Sequence, residues 1–466
     1  MQDLERLFEL TAGRAPRTCA ALASSGSNRR YFRLEADGRS LIGTVGTDAD
    51  ENRAFITISR HFRQQGLPVP EILAVSPDGM SYLQEDLGAV SLYDALAEGR
   101  RTGTYGPEDR RLLERTMALL PRIQYEGGQG LDWSVCYPEP AFNGRMVDFD
   151  LNYFKYCFLK ESGTEFNEIR LQDDFERLKQ DLTVPFGQTF MYRDFQARNI
   201  MLRDGQPWLI DFQGGRRGPV CYDVASFLWQ ARARYPAELR EALLDVYMDA
   251  LKAYCEVDPA EFRQTLRTFV LFRTLQVLGA YGFRGLIERK RHFVESIPYA
   301  LENLRELGAF PRYPYLSEVL ARLCAQPEAA PDDGRTVVTV ISFSYRKGWP
   351  QEDPVHGGGY VFDCRGMNNP GRYARYAHST GLDADVAAFL ETDGEVFPFL
   401  ESAERLVDAH LKRFLERGFT RLQVAFGCTG GQHRSVYCAE KMAAHLKERF
   451  PEAVVRTVHR ELKIER

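Results

Sequence analysis

The sequence predicts an α+β domain built from two lobes, followed by a smaller α/β domain. Residues 31–35 and 40–46 have the patterns of strands, whereas residues 92–127 and 222–308 have largely helical patterns. Residues 326–334 then combine Pro, Ala and acidic side chains, which is typical of an exposed linker. Strands and helices alternate beyond this linker, and such alternation indicates an α/β domain.

The domain boundaries follow from these patterns and from the length of 466 residues, which suits two or three domains. We expect the first domain at residues 1–325, the linker at 326–335 and the second domain at 336–466. Within the first domain, the N-lobe covers about residues 1–85 and the helical C-lobe about residues 90–325.

The composition excludes several classes of function. The net charge of -5 indicates no general affinity for nucleic acids or acidic lipids. The N-terminus has no basic region followed by an apolar core, and no apolar run is long enough to span a bilayer. The nine cysteines lack paired spacing, which indicates reduced thiols and disfavours zinc. We therefore expect a cytoplasmic protein without a membrane partner.

The functional prediction depends on the motifs in residues 191–212. Four residues separate Asp194 from Asn199, as in the catalytic loop of protein kinases. Asp211 stands at the first position of the Asp-Phe-Gly motif of those enzymes. Apolar runs on both sides of an Asp-Gly pair at 204–205 predict a β-hairpin between the two motifs.

The chemistry of phosphoryl transfer explains these residue types. The reaction needs a carboxylate that orients and deprotonates the attacking hydroxyl, and groups that hold magnesium. Asp194 is the predicted catalytic base, and Asn199 and Asp211 are the predicted metal ligands. The predicted cofactors are therefore ATP and Mg²⁺. A polar hairpin with coincidental acidic residues is the alternative, but two motifs in this order make it a poor explanation.

Around these motifs the sequence resembles the aminoglycoside phosphotransferase superfamily, the small-molecule relatives of protein kinases. Residues 218–226 match its Gly-Pro-x-x-x-Asp-x-Ala segment. The resemblance implies a protein-kinase-like first domain in which Asp223 and Arg193 support the catalytic loop. Gln213 stands where protein kinases have glycine, and these small-molecule kinases often lack that glycine.

Small residues before the strand at 31–35 suggest a loop that lays backbone N–H groups over phosphates. An ordinary hairpin is the alternative. Residues 27–33 also resemble the N-terminal segment of bacterial cell-wall sugar kinases, which phosphorylate the anomeric hydroxyl of N-acetylmuramate and N-acetylglucosamine. The candidate nucleotide-binding residues here are Ser25, Gly26, Ser27, Asn28, Arg29 and Arg30.

Residues 80–88 resemble the hinge between the lobes of these kinases. A strand there can offer backbone groups to adenine, which makes Gln84, Glu85 and Leu87 candidate nucleotide contacts. The alternative is a solvated strand end.

The phosphate-binding lysine of protein kinases has no counterpart in the strand at 40–46, because residues 36–52 contain no lysine. The domain is then either a pseudokinase or an enzyme in which Arg29 or Arg30 supplies the charge. The cell-wall sugar kinases tend to lack this lysine, which favours an active enzyme. Glu51 stands where the glutamate partner of the lysine would lie, or it is only a carboxylate at a helix N-terminus.

The resemblance to the sugar kinases implies an amino-sugar acceptor and a role in cell wall recycling. In those enzymes a Glu-Leu pair borders the substrate, and Asp150 with Leu151 is the nearest match here. Asp148 or Asp150 would then face the acceptor, but a solvated helix face is the preferred interpretation for either residue.

The sharpest motif of the second domain is the loop at 427–435, between an apolar strand and a predicted helix. Backbone N–H groups at a helix N-terminus form an anion site, and Arg434 could add a bidentate phosphate donor. The candidate ligand residues are Cys428, Thr429, Gly430, Gly431, Gln432, His433, Arg434 and Ser435.

Two functions fit this loop. Cys428 and Arg434 have the spacing of cysteine phosphatases, but no histidine precedes Cys428 and no acid loop is evident. The loop, together with residues 362–370 and 379–383, resembles the C-terminal domain of RapZ, an adapter that presents a small RNA to a ribonuclease. That resemblance implies a phosphofructokinase-like fold that binds glucosamine-6-phosphate and contacts RNA.

The predicted partners of the second domain follow from this resemblance. Arg365 is a candidate ligand contact, whereas Gly371 replaces a histidine of the family. The effector would be a phosphosugar or a nucleotide sugar. RNA is less favoured, because acidic residues interrupt the arginines that would form a basic face. The leading prediction is an ATP-dependent sugar kinase with a ligand-sensing domain; the alternative is a pseudokinase adapter that binds a metabolite or a small RNA.

Overall fold

The computed structural model describes residues 2–22, 29–183, 187–325, 335–350 and 359–466. The chain forms two compact units, which comprise Met1–Phe283 with Glu295–Gln326, and Arg284–Val294 with Pro327–Arg466. The predicted linker lies outside the described residues except for Arg335, and the predicted domain boundaries stay a prediction.

The N-lobe of the first unit is a five-stranded antiparallel sheet with two helices. The elements in chain order are α1 (Gln2–Ala12), β1 (Thr18–Leu22), β2 (Arg30–Ala36), β3 (Arg39–Val45), α2 (Ala49–Gln64), β4 (Ile72–Val75) and β5 (Ser81–Glu85). The strand order is β1-β2-β3-β5-β4.

The first helix is shorter than the sequence indicates. The spacing of Leu4, Leu7 and Phe8 predicts a helix over residues 1–22. These side chains do pack against the sheet, but α1 ends at Ala12, so the prediction is wrong for the residues beyond it. Gly13 adopts a left-handed conformation directly after α1, and Pro16 follows it. The chain then extends and pairs as β1 with β2 at the edge of the sheet.

The C-lobe is mainly helical. Its helices and those that follow before the second domain are α3 (Leu92–Ala95), α4 (Ala97–Thr102), α5 (Pro107–Tyr125), α6 (Gly144–Phe154), α7 (Glu168–Leu182), α8 (Cys221–Leu228), α9 (Ala237–Leu251), α10 (Pro259–Tyr281), α11 (Arg291–Val294), α12 (Ile297–Leu307) and α13 (Pro314–Ala325). Helix α10 is largely buried, as its apolar sequence predicts.

Four short strands carry the predicted catalytic motifs. They are β6 (Phe190–Met191), β7 (Ile200–Arg203), β8 (Gln206–Leu209) and β9 (Arg216–Arg217). Strands β7 and β8 form an antiparallel hairpin, and Asp204 and Gly205 at its tip have φ angles of 53° and 67°. Two left-handed residues are what a tight hairpin turn requires, so the predicted hairpin is confirmed.

The second unit contains a mixed five-stranded sheet. Its elements are β10 (Val337–Ser344), β11 (Gly359–Asp363), α14 (Ala384–Asp393), α15 (Val396–Glu416), β12 (Arg421–Cys428), α16 (Arg434–Arg449), β13 (Val454–His459) and β14 (Ile464–Glu465). The order is β11-β12-β10-β13-β14; the first four strands are parallel and β14 is antiparallel. The predicted fold class, a bilobal α+β domain followed by an α/β domain, is confirmed.

The helices of the described ranges include none that is both long and apolar enough to cross a bilayer.

Candidate functional site

The catalytic loop is held by a buried carboxylate. Asp223, at the start of α8, accepts hydrogen bonds from the backbone N–H groups of Tyr192 at 2.7 Å and Arg193 at 2.9 Å. Arg193 has a φ of 76°, a conformation that costs a residue with a side chain about 1–3 kcal/mol. Burial raises the pKa of Asp223 to about 7, and the two N–H donors oppose that shift. The expectation that Asp223 holds this loop by hydrogen bonds fits these contacts.

Asp194 follows directly and has an accessible carboxylate, with 46% of its side chain exposed. Nη2 of Arg273 lies 4.0 Å from Oδ1 of Asp194. The same nitrogen donates to Ser226 Oγ at 2.9 Å, and Nη1 donates to the Tyr222 hydroxyl at 3.2 Å. The candidate base therefore has a fixed cation on one side, which limits the directions in which its carboxylate can turn.

The two candidate metal ligands offer free oxygens. Nδ2 of Asn199 donates to the backbone carbonyl of Asp194 at 2.9 Å, which leaves Oδ1 of the amide for another partner. Oδ1 of Asp211 accepts a hydrogen bond from Nε2 of Gln213 at 2.8 Å, which leaves Oδ2 of this carboxylate for another partner. Burial raises the pKa of Asp211, and the Gln213 amide opposes that rise.

This donor set fits magnesium, which prefers hard oxygen ligands and keeps several waters. Asn199 and Asp211 would hold the ion, and Gln213 would orient the carboxylate. Elsewhere in the described residues no group of three or more His, Cys, Asp or Glu side chains could hold a metal ion. The role of Gln213 was missed from the sequence, where it counted only as a departure from glycine.

Aromatic packing fixes the direction of Asp211. The next residue, Phe212, stacks on Phe55 of α2 with ring centroids 4.7 Å apart. It also contacts Phe62 at 5.4 Å and Tyr192 at 6.2 Å. Asp211 itself has a φ of 67°, so the rings hold a backbone conformation that this residue would not adopt alone.

The candidate nucleotide residues are only partly described. Ser25, Gly26, Ser27 and Asn28 lie outside the described residues. Arg29 is buried and Arg30 is exposed, so the structure separates two arginines that the sequence treated alike. Oε1 of Glu51 lies 3.5 Å from Nη2 of Arg29, so the cation beside Glu51 is an arginine and not a lysine.

The predicted hinge residues lie at the end of β5. Gln84 and Leu87 are buried, and Glu85 forms an ion pair with Arg203. The backbone N–H of Glu85 donates to the Glu71 carbonyl at 2.9 Å, so this donor is used within the sheet. The alternative of a solvated strand end is not supported, because both acidic side chains there are paired.

Asp86 is the second of these acids. It accepts from Nε of Arg33 at 2.7 Å and from Ser40 Oγ at 2.5 Å. These contacts tie the end of β5 to β2 and β3.

The two aspartates of α6 differ. Asp148 pairs with Lys179 at 3.0 Å, as a surface carboxylate does. Burial raises the pKa of Asp150, and the nearby guanidinium groups of Arg193, Arg273 and Arg216 oppose that rise. The charges of these arginines thus act on Asp150, whereas Asp148 fits the solvated helix face expected for both.

In the second unit, the loop after β12 lies at the carboxyl edge of the parallel strands, where α/β proteins bind ligands. Sγ of Cys428 lies 3.1 Å from Ser435 Oγ and accepts from the Gly431 N–H at 3.2 Å. The N–H of Gly381 donates to the Gln432 carbonyl at 2.8 Å. The segment at 379–383, predicted to matter with this loop, thus packs directly on it.

The side chains of this loop are less available than the sequence suggests. Arg434 is 3% exposed, and its Nη1 donates to the carbonyls of Arg365 at 3.1 Å and Met367 at 2.7 Å. His433 Nε2 lies 3.1 Å from the Tyr376 carbonyl. The picture of a free guanidinium fork at Arg434 is therefore corrected: one edge of the fork anchors a neighbouring loop.

Nε of Arg434 is buried and makes no hydrogen bond within the described part of the chain. Arg365 pairs with Asp363 at 2.6 Å and lies over the Tyr345 ring, 4.0 Å from its centroid. The backbone of residues 429–432 and the Nε edge of Arg434 are the groups that an anion could contact.

Comparison with known proteins assigns both parts of the chain to known families. Residues 18–257, more than half of the chain, match the model of the phosphotransferase enzyme family, and the chain belongs to that family. Residues 336–463 match the model of the RapZ C-terminal domain. Both resemblances drawn from the motifs are thereby confirmed.

Among individual relatives, an N-acetylmuramate/N-acetylglucosamine kinase of Pseudomonas aeruginosa is 27% identical over 319 residues, which cover 66% of this chain and 88% of that kinase. A nucleotide-binding protein of Rhodospirillum rubrum is 40% identical over 126 residues, 27% of this chain. The chain covers only 37% of the length of that protein and 44% of a second one from Paramagnetospirillum magneticum.

Among solved structures, an amicoumacin kinase in complex with AMP-PNP is 13% identical, with a TM-score of 0.47 over 64% of this chain and 92% of that chain. The chain is assigned to its family by the match to the family model and not by this structural similarity.

Proposed function

We propose that the chain is an ATP-dependent kinase that transfers phosphate to a hydroxyl group of a small molecule, with Asp194 as the base. The observation that carries this proposal is the accessible Asp194 carboxylate, which lies beside Arg273 and belongs to the same short segment as Asn199 and Asp211. Membership in the phosphotransferase enzyme family supports it.

The residues have distinct roles in this proposal. Asp194 orients the acceptor hydroxyl and takes its proton as the bond to phosphorus forms. When bound, magnesium ATP supplies the phosphoryl group, and Asn199 and Asp211 hold its metal. Arg273 fixes the direction of the base, and Asp223 fixes the backbone that carries it.

The proposed acceptor is the anomeric hydroxyl of an N-acetylated amino sugar. Support comes from the segment at 27–33 and from the relative in Pseudomonas aeruginosa, which is named as an N-acetylmuramate/N-acetylglucosamine kinase. A panel of sugars with ATP consumption as readout tests this, and phosphorus NMR then distinguishes a C1 from a C6 phosphate. A C6 product, or turnover only with aminoglycosides, would overturn the anomeric assignment. No turnover with any acceptor would favour the pseudokinase adapter.

For the second domain we propose a binding site for an amino-sugar phosphate or a nucleotide sugar. The match to the RapZ C-terminal domain supports it, and so does the buried Nε of Arg434, because a buried donor without a partner costs about 1–3 kcal/mol that an anion would recover. Calorimetry with glucosamine-6-phosphate, UDP-N-acetylglucosamine and inorganic phosphate tests binding. The same ligands added to the kinase assay test coupling, which must be reciprocal if it exists.

A further inference from the structure

The nucleotide site needs a cation that β3 does not provide. In protein kinases a lysine of the third strand contacts the phosphates and pairs with a glutamate of the following helix. Here Thr44 lies on β3, whereas Glu51 lies in the first turn of α2, as that partner would. Strand β3 thus contains no lysine that could pair with Glu51.

Arg29, directly before β2, lies close to Glu51. Its side chain is 1% exposed, and Nη2 lies 3.5 Å from Oε1 of Glu51. The guanidinium carbon lies 5.8 Å from the centroid of the Phe55 ring, on the same helix as Glu51. Burial of a guanidinium costs free energy unless the charge is paired, so an arginine at this position indicates either a function or a fixed contact.

The strand register places Tyr31, a hydrogen-bond partner of Arg29, beside Thr44. Thr44 pairs with Tyr31 of β2 and with Tyr82 of β5, so the three side chains share one face of the sheet. The side chain of Arg29 hydrogen-bonds to that of Tyr31. A long side chain at position 44 would reach the region that Arg29 occupies.

The same region is close to the candidate metal carboxylate. Phe55, under Arg29, stacks on Phe212 at 4.7 Å, and Phe212 follows Asp211. Arg29 and the residue that follows the candidate metal carboxylate thus pack on the same aromatic ring.

We propose that Arg29 binds the phosphates of the nucleotide in place of a β3 lysine, with Glu51 as its orienting partner. This inference rests on the proposed kinase function and names a residue of its nucleotide site. Arginine suits the role because its planar fork can contact two phosphate oxygens at once.

Calorimetry with ATP, ADP and adenosine in the presence of magnesium tests the inference without any acceptor sugar. Arg29→Met should weaken ATP and ADP binding roughly 10- to 100-fold, the effect of one charge-assisted contact, and leave adenosine binding within about twofold. Arg53→Met is the matched control, because Arg53 lies on α2 and is exposed. Should Arg29→Met fail to fold, Glu51→Gln decides, with the same expected pattern at a partly exposed position.

Three results would overturn the inference while the kinase function stands: unchanged ATP binding in a folded Arg29→Met variant, equal losses for adenosine and ATP, or a larger loss in Arg30→Met. Wild-type protein that binds no ATP would instead refute the proposed function itself. The double variant Arg29→Met with Thr44→Lys should regain part of the lost ATP affinity. A folded double variant with no gain would refute the equivalence to the β3 lysine.

Discussion

Both candidate sites are loops held by hydrogen bonds, but the two loops differ in which of their groups remain accessible. In residues 192–199, the backbone is held by a carboxylate from another element, and the carboxylate of Asp194 remains accessible. In residues 428–435, the side chains of Cys428 and Arg434 are themselves engaged in the packing of the loop. The first site thus presents side chains, and the second presents mainly its backbone.

This difference matches the chemistry proposed for each. Proton transfer needs an accessible base whose position is fixed by other groups, as Asp194 is by Asp223 and Arg273. Reversible anion binding needs preorganised N–H donors, which a tightly packed glycine loop provides without a reactive side chain. The predictions below test whether side-chain changes affect function in the first loop and stability in the second.

The largest expected effect is that of Asp194→Asn on turnover. The amide cannot take the hydroxyl proton, so kcat should fall about 10²–10⁴-fold with the best acceptor. Because the carboxylate is half exposed, unfolding should be unchanged. Asp204→Asn, at the exposed hairpin tip, is the control and should keep its activity. Near-wild-type turnover in Asp194→Asn would refute its assignment as the base.

Gln213→Ala should have the next largest effect. The Gln213 amide holds one oxygen of Asp211, and loss of such a supporting contact typically lowers metal affinity about 10–100-fold. The magnesium dependence of turnover measures this, with Gln206→Ala on the exposed edge of β8 as control. An unchanged magnesium requirement would show that Gln213 does not orient the metal carboxylate.

The sequence was most informative for the part of the candidate site whose residues lie close together along the chain. The spacing of Asp194, Asn199 and Asp211 predicted the loop, the hairpin and their order, because all three lie within one short segment. Arg273 was missed because it comes from α10, far along the chain. The single charged residue in the mostly apolar stretch from Phe269 to Tyr281 was the signal that could have found it.

In the second domain, the sequence predicted the strand, loop and helix but misjudged one side chain. The carbonyls that hold Arg434 belong to Arg365 and Met367, which lie 69 and 67 residues earlier. No local pattern reveals a contact of that range. The same limit applies to α1, whose end depends on the pairing of β1 with β2.

Arg434→Lys should therefore lower the free energy of unfolding, whereas Asp194→Asn should leave it unchanged. Lysine lacks the fork that donates to the carbonyls of Arg365 and Met367, and a loss of about 3 kcal/mol is expected for a buried charged donor. Hydrogen exchange of the α16 amides in the full chain measures this. The controlled comparison is Arg449→Lys at the exposed end of the same helix. Unchanged exchange in Arg434→Lys would mean that the buried fork is not part of the packing.

The smallest predicted effect separates two neighbouring glycines that look alike in the sequence. Gly431 has a φ of 69°, and a Cβ there would lie 2.4 Å from Cγ of Glu461 and 2.9 Å from the backbone nitrogen of Ser344. A Cβ on Gly430 would meet nothing within 4 Å. Gly431→Ala should then cost about 1–2 kcal/mol through backbone strain and the displaced Ser344 segment, whereas Gly430→Ala should be nearly neutral.

Hydrogen exchange of β10 and β12 in the full chain measures both variants. The backbone of Gly431 also donates to Cys428 Sγ, so its strain should spread to the start of the loop. The two alanines together distinguish stability from ligand binding. If Gly430→Ala keeps the stability of the domain but weakens binding of glucosamine-6-phosphate, the backbone at 430 contacts the ligand. Equal stability losses in the two variants would contradict the backbone-presenting loop, because only position 431 is sterically closed.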